Sequence, residues 1–210
     1  MQTFRTKLSQ VETALRDAAI YCGHGYESVS DEAVALVLGA AGLPPEQPLS
    51  LLDQPFPVEA ESQLAALLDQ RCHHRLPVAY CLKEAYLAGL RFIADPRALI
   101  PRSPVSHMVA ERLTPWWPED QEPGVIVDVC CGGGSLGLVA AEAFPDAIVL
   151  LSDLDGQALS LASENIALHR RSDRVIALRT DLLSAFSSGS VDLVLANPPY
   201  VSRAEMAELP

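Results

Sequence analysis

Val125-Ile126-Val127-Asp128-Val129-Cys130-Cys131-Gly132-Gly133-Gly134-Ser135-Leu136-Gly137 decides the fold of this chain. A short apolar, β-branched run reads as a buried strand, and it feeds directly into three consecutive glycines and a helical pattern. Glycines at a strand-to-helix turn let the backbone approach a ligand closely and expose the amides of a helix N-terminus. From Val125 onward the pattern is strand, glycine turn, helix, strand, helix, strand, strand. The spacing predicts strands over 125–129, 147–152, 174–179 and 191–196, with helices over 135–143 and 156–169. Continuous apolar strands alternating with helices predict a parallel sheet covered on both faces, an α/β architecture.

Working outward, the strand ends carry polar groups. Leu151-Ser152-Asp153 places an acid 19 residues beyond Gly134, where a carboxylate accepts hydrogen bonds from a ribose diol. Thr180-Asp181-Leu182 places a second acid, suited to an adenine amine, beside an apolar side chain for the ring. The fourth strand runs into Asn197-Pro198-Pro199-Tyr200. Two prolines cannot continue a ladder, so Asn197 is expected at the carboxyl end of its strand, where open α/β sheets bind ligands. Its amide, the Pro198 carbonyl and the face of Tyr200 suit a planar NH2-bearing group.

Gly132-x-Gly134-x-x-Gly137 also satisfies the dinucleotide fingerprint, so NAD competes. Asp128, ahead of the glycine turn, would repel a pyrophosphate and attract an ammonium. No catalytic His or Tyr-Lys pair follows for hydride chemistry. S-adenosylmethionine, which carries an amino acid, is therefore the preferred cofactor.

The rest of the chain is helical. Apolar residues at helical spacing predict a helix over 4–22, broken by Gly23-His24-Gly25. A second is expected from an N-cap at Ser30 to about Ala41, ended by Gly42 and Pro44-Pro45. A third is expected over 58–75, with Leu64, Leu67 and Leu68 inward. Residues 85–93 read as a hairpin around a glycine-containing turn. Leu99-Ile100-Pro101-Arg102-Ser103-Pro104 reads as extended, followed by a helix over 106–113 and a proline-rich loop. The expected organisation is a helical substrate-recognition domain at 1–76, a hairpin and linker at 77–124, and a cofactor-binding domain at 125–210.

Composition bounds the partners. Residues 1–95 carry 7 basic and 12 acidic side chains and residues 96–210 carry 8 and 15, giving −12 overall. No basic footprint larger than Arg170-Arg171 with Arg174 is present, so direct binding of duplex DNA is not expected, whereas a basic protein is electrostatically welcome. No apolar run approaches the ~20 residues of a membrane span. Five cysteines without a CxxC pair fit a reducing cytoplasm better than a disulfide framework. Cys72-His73-His74 lacks a second ligand cluster and reads as a solvated helix end; no metal is expected.

Asp128 to Gly134, Asp153, Asp181 and Asn197-Pro198-Pro199-Tyr200 together resemble the class I S-adenosylmethionine-dependent methyltransferases that modify amino nitrogens. Pro77-Val78-Ala79-Tyr80 and Leu99-Ile100-Pro101-Arg102 are similar to the glutamine methyltransferases of the translation apparatus. Ser103-Pro104, Gly23-His24-Gly25 and Asp31-Glu32-Ala33-Val34 resemble the branch acting on the third large-subunit ribosomal protein rather than the release-factor branch. The resemblance implies that Gly132, Gly133 and Gly134 line the cofactor's amino-acid end, Asp153 its ribose, and Asp181 and Leu182 its adenine, with Asp128 and Asn197 also among the cofactor-binding residues. It implies that Asn197 and the Pro198 carbonyl hold the glutamine NH2 group, with Pro199 and Tyr200 beside it, and that the substrate is a ribosomal protein or release factor. Methylation of a nucleic-acid amine, and a remnant that at most binds cofactor, are the alternatives. Such a sheet has seven strands, and four are read here. The fold is thus expected to be an incomplete Rossmann-like domain, four of seven strands, behind a small helical bundle. A further C-terminal segment or a partner chain would supply the rest.

Overall fold

The computed structural model describes residues 2–23 and 25–198. The chain divides into two compact units, residues 1–83 and residues 84 onward.

In the first unit, α1 (Phe4–Asp17) is capped by Thr3, whose side chain accepts the Thr6 N–H, and buries Phe4, Val11 and Leu15. It ends at Asp17, five residues short of the expected end, with Ala18 as its C-cap and Ala19 at a positive φ. The second helix, α2 (Val29–Ala40), is capped by Ser28 rather than Ser30. Ser28 is extended and its hydroxyl accepts the Asp31 N–H at 3.1 Å, while Ser30 already lies inside the first turn. The third, α3 (Glu61–Cys72), is shorter than 58–75 because Val58–Ala60 form a separate 3₁₀ turn. Leu64 and Leu67 are buried as expected, with Leu68 half-buried.

Glu32, in the first turn of α2, is turned inward. It receives two hydrogen bonds from Arg71 of α3, at 2.7 and 2.8 Å, and Arg71 also donates to the Tyr21 carbonyl. Both side chains are buried, so the fork-to-fork geometry compensates two desolvated charges. A fourth helix, α4 (Val78–Leu82), has no counterpart in the periodicity reading, since five residues are too few to show one. Lys83 in the left-handed conformation ends it, and the boundary between units falls there rather than at 76/77.

The second unit opens with an antiparallel hairpin, β1 (Glu84–Leu87) and β2 (Leu90–Ile93). Ala88 and Gly89 both have positive φ, the two-residue turn whose twist matches its strands. After α5 (Val105–Ala110) come β3 (Val125–Val129), α6 (Ser135–Ala143), β4 (Ile148–Asp153), α7 (Gly156–Leu168), β5 (Val175–Arg179) and β6 (Leu193–Ala196). These four strands form one parallel sheet in the order β5-β4-β3-β6. The expected run 191–196 shortens to begin at Leu193, although the Asp192 N–H still donates to the Val125 carbonyl at 2.9 Å. Its carboxylate accepts the Gly124 and Val125 N–H groups at 2.9 Å each, stapling the start of β6 to that of β3.

β3 is buried along nearly its whole length, as a strand covered on both faces must be. The outer strands β5 and β6 are instead partly exposed, at Ile176 and Val194 among others. The core lies between the sheet and its helices, around Ile126, Val149, Leu151, Phe144 and Ala162. A Cβ at Gly137 would sit 2.2 Å from Leu151 Cδ2, so only glycine lets α6 pack this closely on β4.

Candidate active site

The strand order reverses between β3 and β6: β4 and β5 follow on one side of β3, and β6 lies on the other. Ligands of open α/β sheets bind in the crevice at the carboxyl ends of the strands, where the order switches. Val129 pairs with Ala196, so the residues that emerge side by side at this point are Cys130, opening the glycine turn, and Asn197. Asn197 and Pro198 are exposed there. Pro199 and Tyr200 lie outside the described residues.

The turn is strongly bent. Cys130, Gly132 and Gly134 have φ of 57°, 54° and 80°. Glycine adopts such values freely, and a cysteine at the first of them is the strained member. Asp153, at the tip of β4, reaches back across it: one oxygen accepts the Gly132 N–H at 2.9 Å and the other the Asp155 N–H at 3.0 Å. The acid read as a ribose acceptor therefore also shapes the glycine turn, while remaining partly open to solvent.

Asp128 is 1% exposed and accepts the Gly137 N–H at 2.8 Å. Burial pushes its carboxyl up to about 7; the Gly137 hydrogen bond pulls it down and the Asp153 charge adds to the rise. Burial raises the Cys130 thiol, and the charges of Asp153, Asp128 and Asp181 add to the rise. Burial raises the Cys131 thiol further, so neither cysteine is a ready thiolate.

Asp181 is exposed just beyond the end of β5, with Leu182 beside it at 57% exposure. Leu154, directly after Asp153, is 62% exposed. Two leucines are thus open to water just beyond neighbouring strand ends. Leu154 is absent from the sequence reading, although an apolar residue immediately after a strand-end acid is a usable signal. Asn165 is likewise absent; its neighbours on a buried helix face gave no sign of its role. His73 and His74 are exposed and face Asp69, and no metal-ligand cluster is found among the described residues.

The sheet order, the bent glycine turn and the acids at successive strand ends define a class I S-adenosylmethionine-dependent methyltransferase domain. A methyltransferase small domain model matches residues 106–209. The chain is 37% identical over 210 residues to the ribosomal protein uL3 glutamine methyltransferase of Bordetella pertussis, covering 100% of this chain and 70% of that protein. It is 35% identical over 191 residues to the protein of the same name from Francisella tularensis subsp. tularensis, covering 91% of this chain and 61% of that one. The chain belongs to the ribosomal protein uL3 glutamine methyltransferase family. Among solved structures it is similar to a human methyltransferase 10 domain containing protein, over 56% of this chain and 58% of that one, with 20% identity and a TM-score of 0.43.

S-adenosylmethionine is the cofactor of this family, and the glycine turn with the acids Asp153 and Asp181 at the carboxyl ends of successive strands suits it. No helix among the described residues is long and apolar enough to cross a membrane.

Proposed function

We propose that this chain methylates the side-chain amide nitrogen of a glutamine in the large-subunit ribosomal protein uL3. The carrying observation is the β3–β6 register, which sets Asn197 beside the glycine turn at the switch point of the sheet. When bound, S-adenosylmethionine supplies an electrophilic methyl carbon on a sulfonium. The protein's part is to hold and aim the acceptor. An amide nitrogen is a poor nucleophile because its lone pair is delocalised into the carbonyl. The Asn197 Oδ1 and the Pro198 carbonyl would each accept one N–H of the substrate amide, raising electron density on nitrogen and pointing it along the attack line. Tyr200 and Pro199 would wall the amide plane. The nitrogen would take the methyl as its bond to sulfur breaks, the electron pair leaving on a now neutral thioether, and the nitrogen would shed one proton past these acceptors to water. Orientation and preorganised dipoles account for the rate, without a strong base.

Gly132, Gly133, Gly134 and Asp128 would hold the cofactor's amino-acid end, Asp153 the ribose, and Asp181 with Leu182 the adenine. The helical unit, residues 1–83, would recognise the protein substrate. The acidic chain suits a basic ribosomal protein, and its five free cysteines suit a cytoplasmic setting.

The test is incubation with methyl-labelled S-adenosylmethionine and purified uL3, with peptide mass spectrometry locating the label. Label on a uL3 glutamine is expected. Label on a release factor or an oligonucleotide instead, or no transfer from folded protein, would overturn this reading.

A further inference from the structure

Asn165 is a buried polar side chain on α7, 1% exposed, all of whose hydrogen-bonding capacity points away from its own helix. Its Oδ1 accepts the Ile93 N–H at 2.8 Å, and its Nδ2 donates to the Ile93 carbonyl at 3.2 Å. It thus stands in for a neighbouring strand at the last residue of β2. The remaining Nδ2 hydrogen goes to the Gly133 carbonyl, at 2.9 Å. That carbonyl belongs to the peptide whose N–H, on Gly134, donates to the Cys131 carbonyl at 2.9 Å. The Gly133–Gly134 peptide plane is therefore held at both ends, by Asn165 on one side and by the turn's own backbone on the other.

The segment after β2 is pinned to the same helix independently. Arg97 grips Asp95 and reaches Glu164, with Nη2 2.9 Å from Glu164 Oε2. A Cβ at Gly132 would lie 3.6 Å from Ala98 Cβ, so this segment also lies against the glycine turn.

We infer that Asn165 is a positioning residue for the cofactor: by gripping the Gly133 carbonyl it sets the plane of the peptides that face the ligand's amino-acid end. The inference rests on the S-adenosylmethionine reading above. A buried amide serving only to tack the hairpin onto α7 would need its two bonds to Ile93 and no third. The third bond reaches the one backbone stretch whose direction decides ligand affinity.

Calorimetric titration of S-adenosylmethionine into the full chain tests this, beside thermal melts of each variant. Asn165→Asp keeps the shape and the acceptor for Ile93 but turns an oxygen toward the Gly133 and Ile93 carbonyls, and Asn165→Ala removes all three bonds. Both are expected to weaken cofactor affinity by about tenfold or more, with Asp the worse of the two. Arg97→Ala, which loosens the same segment without touching Gly133, is expected to stay within about twofold of wild type. Should Asn165→Asp fail to fold, Asn165→Ser, retaining one small donor, carries the comparison and is expected to fall between Ala and wild type. Unchanged affinity in folded Asn165 variants, or an equal loss in Arg97→Ala, would overturn the inference while leaving the cofactor reading intact. Absence of binding by wild type would overturn both.

Discussion

The Asp128 carboxylate, at the fourth residue of β3, accepts the backbone N–H of Gly137, the third residue of α6, at 2.8 Å. A strand thereby satisfies one of the N–H groups left open in the first turn of the helix that follows it, and places negative charge at the positive end of that helix. Gly137 is also where a Cβ would strike Leu151, so the helix comes close enough for this bond only because the residue is glycine. The same acid is the one proposed to face the cofactor's ammonium.

Its titration makes a signed prediction. The carboxyl stands at about 7 in the folded chain against an ordinary value near 3.8, so between those values the folded state holds a proton that the unfolded state has lost. The contribution of Asp128 to stability is full below about pH 4, declines as pH rises, and is gone above about pH 7. Urea melts across this range should show a steeper fall in wild type than in Asp128→Asn. Binding an ammonium favours the ionised form, so cofactor binding near pH 6 should release a proton, detected by calorimetry in buffers of different ionisation heat, and should not in Asp128→Asn.

Asp153→Ala removes the proposed ribose acceptor and the bond to the Gly132 N–H together. Cofactor affinity should fall by about a hundredfold, since a charge-assisted contact and the shape of the turn are both lost. Asp153→Asn, which keeps one acceptor oxygen, should lose less. Equilibrium binding measures both, and a full-strength Asp153→Ala complex would remove this residue from the site.

Asn197→Ala should separate chemistry from binding. The cofactor dissociation constant should stay within a few-fold, while kcat for methyl transfer falls by roughly 10²–10³, the cost of losing one preorganised polar group in the transition state. Single-turnover assays with labelled cofactor give the rate, and equal losses in both quantities would show that Asn197 acts through cofactor binding alone.

The Arg71–Glu32 pair predicts stability rather than activity. Arg71→Ala strands a buried carboxylate, and about 3–5 kcal/mol of destabilisation is expected. Arg71→Met with Glu32→Gln removes both charges and should recover most of that loss. Chemical denaturation of the three proteins forms the test cycle; a double variant as unstable as Arg71→Ala would show that the charges themselves are required.

The positions of the second unit's strands and helices were legible because their runs are long and apolar, with glycines and prolines marking the ends. Boundaries drifted where a single polar side chain intervened. Asp192 looks like one acid within an apolar run, yet its side chain staples two backbone N–H groups at the start of β3. Ser30 and Ser28 are equivalent as letters, and only the Ser28 hydroxyl has the geometry to cap α2. The helix α4 is too short to carry a period.

The sequence by itself determined that glycines follow β3 and that polar groups end β4, β5 and β6, because strand period, proline and glycine act over a few residues. It could not determine that those ends lie side by side, with β6 next to β3 and β4 on its other flank, since neighbours in a parallel sheet are set by crossovers many residues long. Nor could it reveal that Asp153 holds Gly132, that Glu32 turns inward to Arg71, or that Asn165 grips Gly133. Each of these is a hydrogen bond between groups distant in the chain, and only the packed fold brings its donor and acceptor within 3 Å.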